Sequence, residues 1–449
     1  MGLEEHIPKH VVATNRATAL LLLAISIIVI ALLVGTTAIY AGIALLILIA
    51  IMRGYASIAT LAAVRLRVEP VVKGRLEGEP LEVLFTISND TIVPIALIEL
   101  SVAYSPHLRL AEGSRAGVAV IPPKGSIGYR LVFASRAGKH LIGPVVAVVR
   151  DPLGLYRSSE LELGKPVEVR ISPKPVEVVI RKLFVKTRST GITRSREPGS
   201  GIEFHSIREY RPGDEIKRID WKHYASKRKL AIREMEREAY QSILFVLDAT
   251  PPMFFGAYGL TPFEHSARII ASIASYLARR GDLMSIVVYG RDYASVSGPM
   301  ARGKQGYYKV LLSLSSVEFD TREINDDVRS LAVERALKKV AEILPRERNL
   351  VFMFTTAGTA RYLEALVDIS TKLSALGNVV YAIIPVSTAY EIKGLTGWAQ
   401  AVYRVKTFER MKMELDFARR LRRYGVRTLA LGPQHLPQTV IAIVESMRA

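Results

Sequence analysis

The chain has 449 residues, a length that predicts two or three domains. Lys and Arg number 61 against 42 Asp and Glu, a formal net charge of +19. Such an excess favours anionic surfaces, lipid headgroups or nucleic acid, and says nothing about fold. The absence of cysteine excludes disulfides, zinc ribbons, iron–sulfur clusters and thiol catalysis. Hydrophobic residues make up 49% beside 23% charged ones, so the apolar residues should be concentrated somewhere.

They are concentrated at the N-terminus. No charged residue lies between Arg16 and Arg53, and the run 17–52 is 36 residues long. One helix of that length would measure about 54 Å, too long for the roughly 30 Å hydrocarbon core of a bilayer. Gly35-Thr36-Thr37 near its middle predicts a transmembrane hairpin over 17–53, with spans at 17–34 and 38–52. A cleaved signal peptide would still leave the second span as an anchor, and no small-residue cleavage site separates the two. Lys9 and Arg16 flank one end and Arg53, Arg65 and Arg67 the other, while the loop carries no charge. The positive-inside rule then predicts a multi-pass protein of the cell membrane, with segment 1–16 and everything after the hairpin in the cytoplasm.

From 66 to 172 the pattern shortens. Segments 81–87, 95–104, 128–133 and 145–149 are rich in β-branched residues and broken at Gly78-Glu79-Pro80, Ser88-Asn89-Asp90, Pro122-Pro123-Lys124-Gly125 and Asp151-Pro152-Leu153-Gly154, which predicts a β-sandwich. Asn89-Asp90-Thr91 is formally a glycosylation sequon, read here as an ordinary turn.

From 242 to 449 the pattern alternates. Apolar runs at 243–247, 284–289, 350–354, 379–384 and 429–431 are separated by helical stretches at 263–280, 326–343, 360–376 and 408–424. That alternation predicts an α/β domain with a mostly parallel sheet covered on both faces, in which ligands bind beyond the carboxyl ends of the strands.

A basic segment, 173–241, joins the two. Its stretch 181–237 holds sixteen Lys or Arg against eight Asp or Glu and includes Gly201-Ile202-Glu203-Phe204, Arg208-Glu209-Tyr210, Pro212-Gly213-Asp214 and Arg218-Ile219-Asp220-Trp221. This string resembles the core motif of the domain-of-unknown-function 58 family. Arg136-Ala137-Gly138, Gly143-Pro144 and Asp151-Pro152-Leu153-Gly154-Leu155 resemble the same family, as does the double N-terminal span. The resemblance implies a C-terminal von Willebrand factor type A-like domain, Rossmann-like in layout, and a link to a MoxR-type AAA+ ATPase.

In physical terms, Pro212-Gly213-Asp214 is a turn. Trp221, large and apolar, is expected to anchor the segment to the sheet. Arg208, Glu209, Asp214, Arg218 and Asp220 are expected to form an ion-pair network that fixes its path, a docking surface being the alternative. The basic run 222–233, with Lys227-Arg228-Lys229, reads as a solvated face that anionic lipid would attract; no nucleic-acid-reading module accompanies it.

Type A domains hold a divalent cation in an Asp-x-Ser-x-Ser loop after their first strand, with a distant threonine and aspartate. Here that loop reads Asp248-Ala249-Thr250-Pro251-Pro252, and the later strand ends in Thr355-Thr356-Ala357-Gly358. Asp248 and Thr250 match; Pro252 has no donor, and no aspartate precedes Gly358. With too few oxygens for Mg²⁺, the expectation is a degenerate site and no cofactor. The segment Gly298-Pro299-Met300-Ala301-Arg302-Gly303-Lys304-Gln305 is spaced like a phosphate-binding loop, but Gln305 stands where Ser or Thr must hold Mg²⁺. No His-x-His, His-Glu-x-x-His or Gly-x-Ser-x-Gly arrangement occurs. His205, His223 and His265 read as surface or packing residues.

These features predict a membrane-anchored, non-enzymatic adaptor with a protein partner, by the resemblance the ATPase. The alternative is a hydrolase or nucleotide-dependent enzyme using the cleft near Asp248 or Lys304. Met253-Phe254-Phe255, apolar and directly after two prolines, forms either a partner contact or packing beneath the next helix.

Overall fold

The computed structural model describes residues 11–176, 198–236, 241–345, 348–386 and 397–447, which fall into two units, 1–172 and 173–449. Lys9 and the stretch 181–197 of the basic segment lie outside the described residues, as do the side chains of Glu203, Phe204 and His205.

In the first unit, β1 (Val11–Ala13) leads into α1 (Asn15–Val34) and α2 (Ile39–Val64). Gly35 ends α1 in the left-handed region, φ 71°, which glycine adopts without strain. The helices bury positions seven apart, Ala17, Ala24 and Ala31 on α1 and Gly42, Ile49 and Ala56 on α2, all small but Ile49, a seam that lets two backbones approach closely. A Cβ at Gly42 would run into Ile28 and the Ala24 carbonyl. Both helices are long and apolar enough to cross a membrane.

The second helix runs past the expected boundary at 52–53 to Val64. Nothing breaks it at Arg53, and its last turns bury Ala59 and Ala63 in the core of the sheets that follow.

Those sheets are built from β2 (Arg67–Lys73), β3 (Pro80–Ser88), β4 (Ile95–Tyr104), β5 (Arg109–Glu112), β6 (Ala116–Ile121), β7 (Ser126–Ala134), β8 (Gly138–Val149), β10 (Leu161–Leu163) and β11 (Val167–Ile171), while β9 (Tyr156–Ser158) pairs with β1. One antiparallel sheet has the order β2-β3-β7-β5; the other runs β10-β8-β4-β6, with β11 also on β8. Alternate residues of β3 (Leu81, Val83, Phe85, Ile87) and of β4 (Ile98, Leu100, Val102) enter one shared core, as period-two patterning requires. Asn89 is spent on its own turn, Nδ2 donating to the Val93 carbonyl at 2.9 Å and Oδ1 accepting from Thr91.

The second unit opens with an antiparallel pair, β12 (Pro198–Glu209) and β13 (Ala231–Glu236), bridged by a loop that holds α3 (Trp221–Lys227). Next come β14 (Ser242–Asp248), α4 (Pro262–Arg280), β15 (Leu283–Tyr289), β16 (Ala294–Val296), β17 (Ala301–Arg302), α5 (Gly303–Ser315), α6 (Asp326–Ile343), β18 (Leu350–Phe354), α7 (Ala360–Ala375), β19 (Val379–Pro385), α8 (Gly397–Arg423), β20 (Arg427–Leu431) and α9 (Leu436–Ser446). The sheet order is β16-β15-β14-β18-β19-β20. It is mixed: β14, β15, β18, β19 and β20 are parallel neighbours, while β16 and β17 run antiparallel to β15. β14 is buried along its whole length, because apolar clusters cover both faces. A Thr261/Glu264 capping box starts α4 and Gly281 ends it.

Candidate functional site

β14 and β18 end side by side, so Asp248 and the stretch 355–358 come together at the carboxyl edge of the sheet. Asp248 is fully buried, and the donors around it are aimed at its carboxylate. Oδ1 accepts from the Thr250 amide at 2.8 Å and its hydroxyl at 2.5 Å. Oδ2 accepts from Thr355 Oγ1 at 2.9 Å, the Tyr362 hydroxyl at 3.0 Å and Arg329 Nη2 at 2.8 Å.

Arg329, from the first turn of α6, belongs to no sequence motif, yet it completes this cluster. It is 1% exposed. Its Nε donates to Thr250 Oγ1 at 3.2 Å and Nη1 to the Ala357 carbonyl at 3.0 Å, while Nη2 also reaches the Thr356 carbonyl at 3.3 Å. The guanidinium carbon lies 3.7 Å from the Tyr362 ring centroid, a cation–π contact. Burial works against its charge, yet Tyr362 and Asp248 outweigh burial and leave its pKa raised. Burial raises the pKa of Tyr289 and Tyr362, so the two hydroxyls, 3.0 Å apart, remain protonated donors. A Cβ at Gly358 would crowd Tyr362 and Arg329, so glycine there permits the approach.

The residues do not fit the divalent cation that the type A resemblance implies. Asp248, Thr250 and Thr355 are three oxygen donors, but their lone pairs already serve the guanidinium and one another. Thr356, in the place of the missing aspartate, reaches Glu414 Oε1 at 3.5 Å instead. A positive charge is present at the carboxylate and belongs to the chain.

Above this ion pair lies a groove of about 610 Å³ whose rim includes Phe255, Arg410, Met413, Glu414 and Arg420. Arg410 Nη1 donates to the Phe255 carbonyl at 2.7 Å and Nε to Glu414 at 3.1 Å, tying the loop after β14 to α8. The loop 253–255 divides. Met253 and Phe254 are buried, Phe254 against Phe263 and Phe319 with ring centroids 5.0 Å apart. Of the three, Phe255 alone, 49% exposed, is open to a contact, and Met413 at 60% exposed stands across the groove.

In the basic segment, Arg208 grips Asp214 in two parallel bonds, Nη1 to Oδ2 at 2.8 Å and Nη2 to Oδ1 at 2.7 Å, and donates Nε to Glu234 at 2.8 Å. Arg208, then the Arg211 amide, holds the Asp214 carboxyl down at about 2. Gly213, φ 108°, makes the turn between them. Asp220 caps α3 through the amides of Lys222 and His223 and takes Arg233 at 3.2 Å. Arg218 pairs with Glu215 at 3.0 Å, and Glu209 lies 3.7 Å from Lys229. The Tyr210 amide donates to the Leu230 carbonyl at 3.0 Å. Trp221 is not the expected anchor. It opens α3, 60% exposed, because that helix of 7 residues has no buried face, and its ring meets Tyr224 edge-on at 6.3 Å.

The stretch spaced like a phosphate loop does not form one. Residues 301–302 pair with β15 as β17, the Gly298 carbonyl accepts from Ser285, and the Gly303 amide donates to the Asp282 carbonyl at 3.1 Å. Amides that would cradle phosphate are thereby used or turned away.

Among known proteins, residues 206–380 match the family model described as protein of unknown function DUF58. No curated protein matches. Solved structures that align include proximal thread matrix protein 1 from the mussel byssus, at 12% identity and TM-score 0.28 over 47% of this chain and 46% of that one. The VWA domain of SpRpn10 aligns at 13% identity and TM-score 0.27, over 45% of this chain and 94% of that one. Another structure of the mussel protein, with a zinc-occupied MIDAS motif, gives 14% identity and TM-score 0.28 over 47% and 46%. The alignment thus spans about half the length of the first of these relatives. From the second half of β12 to the start of β19, the stretch that carries the Arg208–Asp214 pair, Asp248 and Arg329, this chain matches the DUF58 family model.

Proposed function

We propose that this chain is a membrane-anchored, non-enzymatic adaptor whose α/β unit, read as type A-like, binds a protein partner at the carboxyl edge of its sheet. The partner class is a MoxR-type AAA+ ATPase, which the motif around Arg208 and Trp221 suggests. α1 and α2 serve as the anchor, and the two antiparallel sheets after them are read as a β-sandwich on the cytoplasmic side. The observation that carries the reading is the ion pair at Asp248. A carboxylate with five donors and a guanidinium with every nitrogen engaged leave no free acid, base or nucleophile among the described residues of this cluster, while Phe255 and Met413 offer apolar contact above it. Exposed aromatic and long apolar side chains beside cationic ones are typical of contact surfaces.

The test uses purified full-length chain and a purified MoxR-type ATPase. Capture of the ATPase in at least one nucleotide state, with no turnover of generic ester, phosphoester or nucleotide substrates by the chain alone, is the expected result. Turnover lost in Asp248→Asn, without capture, would favour the enzyme.

A further inference from the structure

Where the chain enters α1, the first unit holds a cavity of about 630 Å³ walled by residues 13–16 and by the turn at 152–154. Its walls are fixed from both sides. β1 pairs with β9 in antiparallel register, and Thr14 donates its amide to the Leu155 carbonyl at 2.8 Å and its hydroxyl to the Gly154 carbonyl at 2.9 Å. Asp151 in turn accepts from the amides of Leu153 at 2.9 Å and Tyr156 at 2.5 Å, and Gly154 takes φ 68°. Leu155 and Tyr156 pack against Ala17, Ile49 and Ala56 of the helices. The turn that the sequence marks as Asp151-Pro152-Leu153-Gly154 thus fastens the sheets to the start of the first apolar helix.

Three arginines line this cavity, Arg16, Arg150 and Arg157, against one carboxylate, Glu99. Glu99 is engaged by Arg150, Nε at 2.8 Å and Nη2 at 3.1 Å. Arg16 and Arg157 are exposed and, among the described residues, neither forms an ion pair with a carboxylate. The cavity therefore carries a net charge of +2. The first amides of α1 lack acceptors within the helix. Thr14 does not cap them with its side chain, and no acidic residue occupies the first turn, so the positive end of the helix dipole is uncompensated. The apolar run starts at Ala17, one residue beyond Arg16, so in a spanning α1 this cavity stands at headgroup depth.

We propose that the cavity binds the phosphate of an anionic phospholipid headgroup, with Arg16 and Arg157 as its ligands and Leu153, exposed on the same wall, lying along the lipid's glycerol and first acyl carbons. This rests on the reading of α1 and α2 as an anchor. The phosphate could also come from a soluble monoester, and the experiment separates the two sources.

Full-length protein in detergent, exposed to equimolar phosphatidylglycerol and phosphatidylcholine and examined by native mass spectrometry, should retain the anionic lipid preferentially. Each basic residue beside an anionic lipid is worth about a fivefold preference, so Arg16→Gln with Arg157→Gln should reduce retention by an order of magnitude or more. Lys165→Gln, on the surface elsewhere, should leave it unchanged. An equal preference in wild type and double variant overturns the proposal. Binding of glycerol 3-phosphate with no lipid preference assigns the cavity to a soluble ligand and overturns it as well. Carbonate extraction of native membranes tests the anchor alone: release of the wild-type chain sinks the anchor, whereas a retained chain without lipid preference sinks only the site.

Discussion

Arg329 and Asp248 show how one side chain decides what a site can do. Removing one partner of a buried ion pair leaves an uncompensated charge and costs about 3 to 5 kcal/mol, whereas replacing both with apolar groups of similar size costs much less. Arg329→Leu should therefore destabilise the full-length chain by about that amount, and adding Asp248→Leu should recover part of the loss. Additive losses in denaturant unfolding would contradict the pairing. A second residue gives a pH dependence. Burial, opposed by the bond from Nε2 to the Arg136 carbonyl at 2.9 Å, holds His140 down at about 4. Its folded pKa lies below the unfolded value of about 6.5, so the unfolded chain takes up the proton first as pH falls. The associated stability, about 3 kcal/mol, is complete above pH ~6.5 and is lost progressively between about 6.5 and 4. Chemical denaturation of wild type and His140→Gln at pH 7.5 and 4.5 should show a smaller pH effect in the variant; an equal effect would exclude His140 as its source. Asp248 and Thr250 are visible in the sequence because their spacing is local. Arg329 is not, because it follows Asp248 by 81 residues and only the fold brings α6 to the end of β14.

At the scale of elements, length and periodicity make the parallel strands and α4, α6 and α7 legible in the sequence to within a residue or two. α5, α9 and the β12–β13 pair escape such a reading, since short or mixed-polarity elements give little periodic signal. The end of α2 escapes it too, because Arg53 ends an apolar run without ending a helix. Residues 253–255 and Trp221 illustrate a deeper limit: apolar character does not tell which way a side chain faces. Phe254 is buried among aromatic rings and Trp221 is exposed. Phe254→Ala should accordingly cost about 3 to 5 kcal/mol, while Trp221→Ala should stay within about 1 kcal/mol. The reverse order in denaturant midpoints would place Trp221 in a core.

For the whole molecule, the uncharged apolar run 17–52 stands apart from the rest of the chain, and that contrast makes the pair of helices long and apolar enough to cross a membrane legible in the residue pattern alone. The chain has no cysteine, so single introduced cysteines report topology without background. In intact cells a cysteine at Thr36 should react with an impermeant thiol reagent and one at Ser446 should not; the opposite pattern would invert the orientation. At the strand-end face, the Asp248 carboxylate is already neutralised by a cation that the chain itself supplies, so binding of the proposed partner should need no added metal. Affinity for nucleotide-free ATPase, measured with full-length chain in EDTA and in millimolar Mg²⁺, puts this to the test. Equal affinity is expected in both, with a loss of an order of magnitude or more in Phe255→Ala with Met413→Ala at an unchanged melting temperature. Binding that requires Mg²⁺, and that disappears in Asp248→Asn without loss of stability, would contradict it.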